Sequence, residues 1–133
     1  MPSLRKVVAF FGVWIGPLVM LDAASPDAKI SFSRQIQPLL SEYCYQCHGP
    51  DSAARKPKRN PLRLDRAQFA FAARGEGQPA IIKGSPAESE VVRRLRSADP
   101  EEVMPPASAH KTIKAGEIAL IERWIQEDRK SVV

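Results

Sequence analysis

The longest uncharged stretch of the chain lies near its start. Val7 to Leu21 is fifteen apolar or small residues, preceded by Arg5 and Lys6 and followed by Asp22-Ala23-Ala24. A basic start, an apolar centre and a small-residue exit predict a secretory signal over residues 1–24, cut after Ala23 or Ala24. The run is shorter than the ~20 residues that span a bilayer, and Gly12, Gly16 and Pro17 interrupt it. The alternative is an uncleaved anchor, and membrane association is expected only in that case.

Residues 25–32 read as a short leader, 33–129 as one domain and 130–133 as a tail. In the domain, Ser33 is placed to cap a helix whose Ile36, Leu39, Leu40 and Tyr43 fall at helical spacing. Pro38 interrupts it, so the helix starts there or its first turn is distorted. Asp65, with Gln68 three residues on, predicts a capped helix through Ala73. Ala80-Ile81-Ile82 is a short extended apolar stretch. Ser85-Pro86-Ala87-Glu88 carries a helix start with Pro at the first position, backed by Val91, Val92 and Leu95. After a loop over 97–112, a final helix at about 115–129 aligns Ile118, Ile121, Trp124 and Ile125. There is no internal repeat and no alternating strand pattern. The fold class is all-α, with short helices and long loops.

Composition narrows the picture. The chain has 133 residues, 44% of them hydrophobic and 26% charged, which fits one globular domain and excludes a wholly disordered chain. Twelve prolines and seven glycines agree with the long loops. Twenty basic against fifteen acidic residues leave a net charge of +5. Losing residues 1–24 would remove two bases and one acid. A surplus this small suits an acidic protein partner. The basic cluster Arg55-Lys56-Pro57-Lys58-Arg59 has few aromatics interleaved, which argues against nucleic acid.

The chemistry concentrates in Cys44-Tyr45-Gln46-Cys47-His48, the attachment pattern for one covalent c-type haem. Two thiols three residues apart reach the two vinyl groups of a porphyrin, and the next residue supplies an imidazole to the iron. Other readings fit less well. A redox dithiol needs a βαβ setting that is missing here. Zinc would need Cys44, Cys47, His48 and His110 with adjacent residues on one tetrahedron. A short-loop disulfide in a non-haem interaction protein remains as an alternative. For the second axial ligand, Met1 and Met20 lie in the signal segment, which leaves Met104. Its sulfur opposite imidazole raises the reduction potential, and Pro105-Pro106 restrict the backbone beside it. His110, the other histidine, reads as a solvated loop residue. The basic cluster could pair with haem propionates, and Arg63, next to apolar Leu64, is a better candidate propionate contact than that loop.

Taken in order, Ile30 to Asp51, Leu62-Arg63-Leu64-Asp65, Ala80 to Glu90, Met104-Pro105-Pro106 and Ile118 to Ile125 resemble the Planctomycete-type cytochrome c domain over residues 30–128. The resemblance implies a cytochrome c-like helical fold wrapped around one haem, with His48 and Met104 on the iron. It also implies an electron-transfer role outside the cytoplasmic membrane, in the periplasm or beyond, with a redox partner protein and no substrate-transforming activity of its own. A haem domain that senses or transforms a small ligand displacing Met104 is the alternative. In the family the domain usually fronts larger secreted proteins, and no further domain is assumed here. The family usually has Thr, then Pro, where this chain has Lys114. Lys cannot accept from first-turn amides, and Gly116 adds backbone freedom, so the last helix is expected to fray at its start.

Overall fold

A computed structural model describes residues 28–75 and 77–127. The predicted signal segment 1–24, the first three residues of the predicted leader and the predicted tail 130–133 lie outside the described residues. The helices are α1 (Gln37–Tyr43), α2 (Tyr45–His48), α3 (Ala67–Ala70), α4 (Glu90–Leu95) and α5 (Ala115–Glu127). No strand forms among the described residues; a lone bridge joins Arg74 to Gly77. No helix among them is long and apolar enough to cross a membrane. The all-α expectation holds.

Most helices are too short to stand alone, since isolated helices under ~12–15 residues are marginal. Tertiary burial therefore holds them. The organising element is α5, which buries Ile118, Ile121, Trp124 and Ile125 as its spacing predicts. Ile125 and Ile121 meet Ile36 and Leu40 of the N-terminal segment in one core, where all four are almost wholly buried. Each such side chain contributes about 1.5–3 kcal/mol. Phe32 and Phe71 pack on the Trp124 indole at ring-centroid distances of 5.4 and 6.2 Å. The two ends are also stitched by polar contacts. The Ile30 N–H donates to Glu127 Oε2 at 2.9 Å, and Arg123 Nη2 donates to the Ala28 carbonyl at 2.8 Å.

Helix starts depart from the sequence reading at several points. The first helical segment opens at Ser31, not Ser33, through a π-helical turn over Phe32–Ile36. Pro38 then occupies the start of α1. It lacks an N–H and its ring crowds the carbonyl four residues back, so α1 starts beside it, with the π-helical turn ahead of it. Asp65 does not cap α3. The cap position is Arg66, because the Asp65 carboxylate is taken by Arg63 Nε at 3.0 Å and Nη2 at 2.5 Å. The helix ends at Ala70, short of Ala73.

Pro86 does open a helical turn, but a 3-10 turn over Pro86–Glu88, and Ser85 makes no side-chain cap bond. The α-helix starts after Ser89. Ser89 is fully buried; its Oγ accepts the Ile82 N–H and donates to the Ser85 carbonyl, both at 2.9 Å. That pins the turn over residues 82–85, closed by the Ser85 N–H on the Ile82 carbonyl at 3.0 Å, against α4. The expected extended stretch at 80–82 is a bend leading into this turn. The start of α5, expected to fray, is closed from within: the Glu117 carboxylate accepts the Lys114 N–H at 2.8 Å. This is the reciprocal half of a capping box: an acid at the third helical position takes the N–H of Lys114, while no side chain at the cap position accepts from the first turn.

Candidate functional site

The attachment segment is one tight turn. The Cys44 N–H donates to the Leu40 carbonyl at 2.8 Å, ending α1. The Cys47 and His48 N–H groups both donate to the Cys44 carbonyl, at 3.1 and 2.8 Å. Three-residue spacing on a helical turn puts Cys44 and Cys47 on one face, with His48 directly after. The long loop over 49–63 is tied back at both sides of this turn. The Lys56 N–H reaches the Cys47 carbonyl at 2.9 Å, and the Leu64 N–H reaches the His48 carbonyl at 2.8 Å. Arg55 adds a bond from Nε to the Gly49 carbonyl at 2.9 Å.

The second wall comes from α4 and the loop after it. The Met104 N–H donates to the Arg94 carbonyl at 3.1 Å, so the methionine is hung from the C-terminal end of α4. Charged side chains brace the same junction. Glu90 bonds Arg93 and Arg94, each at 2.7 Å, and Arg93 reaches Glu102 at 2.5 Å. The Arg93 guanidinium, first, and then Arg94 hold the Glu90 carboxyl down at about 2.

Between these walls lies a mostly apolar cavity of about 730 Å³, within the ~300–1,000 Å³ typical of cofactor sites. Cys44, Cys47, His48 and Met104 all line it, although Met104 stands 56 positions after His48 in the sequence. Leu64, Val91 and Leu95 supply apolar wall.

The donor set suits a haem. His48 is half-buried and its Nδ1 is enclosed without a hydrogen-bond partner. Burial, then the nearby Arg74 charge, lowers its pKa, against smaller opposing effects from the backbone at Lys56 and Leu62. That favours neutral imidazole, the form that binds a metal. Both cysteines are free thiols, and burial pushes Cys44 up to about 12. Such a thiol stays protonated at neutral pH and is a poor participant in disulfide exchange.

Other sequence candidates fall differently. Arg63 does not line the cavity. Its guanidinium is paired with Asp65 and lies 5.2 Å from the Phe69 ring centroid. His110 is exposed, has left-handed backbone at φ 52, and also lies outside the cavity lining. Lys56 and Lys58 of the basic cluster do line it, as do Arg74, Glu90 and Arg94. Arg74 and Glu90 carried no signal in the sequence. Arg74 sits in a loop of no periodicity, and Glu90 reads as an ordinary first-turn acid.

Residues 44–108 match the family model for Planctomycete cytochrome C. The match begins at Cys44 and takes in Met104, the family implies covalently attached haem, and the spacing of Cys44 and Cys47 fits its attachment pattern. No curated protein and no solved structure matches the chain.

Proposed function

We propose that this chain, whose residues 44–108 match Planctomycete cytochrome C, is a one-haem c-type cytochrome that carries electrons outside the cytoplasmic membrane. The observation behind this reading is the meeting of Cys44, Cys47, His48 and Met104 on one apolar cavity. Cytochrome c domains of this kind are generally extracytoplasmic, and the basic start and apolar run before residue 24 agree with export.

In this reading the Cys44 and Cys47 thiols form the two thioether links, and their fixed turn sets the position of the group. His48 supplies the proximal imidazole nitrogen and Met104 the distal sulfur. When bound, haem supplies a one-electron ferric–ferrous couple. The apolar walls exclude water, and the Met104 sulfur favours the reduced state. Lys56 and Lys58 beside the cavity suit an acidic redox partner.

Intact-mass analysis of protein matured with a cytochrome c assembly system tests the reading. One haem added per chain, surviving acid-acetone extraction, is the expected result; a bare polypeptide mass overturns it. Met104→Ala should remove the sulfur-to-iron near-infrared band of the oxidised protein, lower the potential and open the reduced protein to carbon monoxide. His110→Ala should leave the spectrum unchanged. The reverse pattern would move the axial assignment to His110.

A further inference from the structure

Two side-chain polar atoms among the described residues are buried without a hydrogen-bond partner: His48 Nδ1 and Arg74 Nε. Both residues line the same cavity. His48 already has a place in the proposed chemistry, whereas Arg74 has none.

Its guanidinium is held in position. Nη2 donates to the carbonyl of Asn60, a residue whose backbone is left-handed at φ 54. Of the other cations lining the cavity, Lys56 is exposed and the rest are bonded within the chain. Arg94 is bonded to the Glu90 carboxylate and to the Glu102 carbonyl, and Lys58 donates to the Ala53 carbonyl. Among the described residues, no carboxylate forms an ion pair with Arg74. A buried, charged N–H without an acceptor is costly, and a bound anion relieves that cost by supplying the acceptor. A guanidinium offers the donor geometry that carboxylates accept.

We infer that Arg74, not Arg63, binds a haem propionate carboxylate, with Nε–H as a donor and the Asn60 carbonyl holding the other arm of the fork. The inference rests on the haem reading above. It predicts a propionate whose ionisation is held to low pH by the adjacent cation, and that ionisation shows as an inflection in the plot of reduction potential against pH.

The test measures this inflection in haem-loaded full chain for the wild type, Arg74→Gln, Arg74→Lys and Arg63→Gln. In Arg74→Gln the inflection should rise by about 1–3 pH units, the size expected on losing an adjacent opposite charge. Arg74→Lys keeps the charge without the fork and should give an intermediate value; it carries the test if the Gln variant does not mature. Arg63→Gln should stay at the wild-type value. An unmoved inflection in the Arg74 variants, or a rise in Arg63→Gln, overturns the inference while the haem stands. A wild-type chain found at bare polypeptide mass overturns the haem reading and this inference together.

Discussion

Two glycines should respond in opposite directions to the same added methyl group. Gly49 follows the Cys44–His48 turn at φ −119, a backbone open to any residue, so only space is at issue. A Cβ there would lie 2.3 Å from the Tyr45 carbonyl oxygen and 2.9 Å from both the Tyr45 carbonyl carbon and Cβ, where ordinary contact begins near 3.4 Å. The chain would have to open by about 1 Å. The obstacle is mostly backbone of α2, between the two cysteines, so it cannot step aside as a flexible side-chain end could. Overpacking of this sort costs about 1–3 kcal/mol, occasionally more, and Gly49→Ala belongs at the upper end.

Gly116 is exposed in the first turn of α5, and a Cβ there meets nothing within 4 Å. Ala at that position reduces the freedom of the unfolded chain and should stabilise by about 0.5–1 kcal/mol. Urea unfolding of the haem-loaded proteins, followed by far-ultraviolet circular dichroism, measures both. Against a total stability of about 5–15 kcal/mol, the two midpoints should lie clearly on either side of the wild type. A Gly49→Ala midpoint at the wild-type value would show that the turn is looser than its geometry here. A lowered Gly116→Ala midpoint would show that the start of α5 needs glycine for another reason.

Ser89→Ala removes the acceptor of the Ile82 N–H and leaves that group without its partner, so urea unfolding should show a loss of about 1–3 kcal/mol. Glu90 is held at about 2 against an ordinary value of 4.5. Its contribution to stability is therefore full above pH 4.5 and fades as the pH falls from there towards 2. Glu90→Gln should flatten the fall of the urea midpoint over that interval, modestly because the pair is partly exposed; a variant with the wild-type acid profile would refute the role of Arg93 and Arg94 as its partners.

Long periodic elements were legible in the residues, and short ones were not. The α5 stripe needs only its own spacing, and thirteen residues of one amphipathic helix state it clearly. Short helix starts depend on which partner a polar side chain finds. Asp65 has the chemistry of a cap, but Arg63, two residues away, competes for its carboxylate and wins. Ser85 has the right pattern, but the bonds that matter are made by Ser89, whose partners on the 82–85 stretch emerge only once the chain folds back. The site divides in the same way. Cys44, Cys47 and His48 are local, so their spacing declares them, and Met104 follows by elimination. Arg74 is brought to the cavity by a loop without periodicity and is distinguished only by an unmatched Nε–H, which belongs to tertiary structure.

The cavity and the core are not separate parts of the molecule. Leu64 and Leu95 belong to the buried cluster that α5 organises, and both also line the cavity; Tyr43, Cys44, Leu62 and Val91 pack against that cluster from the cavity side. A planar apolar group seated there would extend the existing core, meeting the side chains that already touch the Ile36, Leu40 and Ile121 layer. Its binding free energy would then add directly to folding stability, as for any ligand that binds only the folded chain. In a domain small enough for its core to be marginal, such a coupling would let the short helices, the loops and the Cys44–His48 turn share one hydrophobic centre. The turn at Cys44–His48 is tied to that core directly: the Cys44 N–H bonds the carbonyl of buried Leu40, and Cys44 and Tyr45 pack against the cluster that α5 organises.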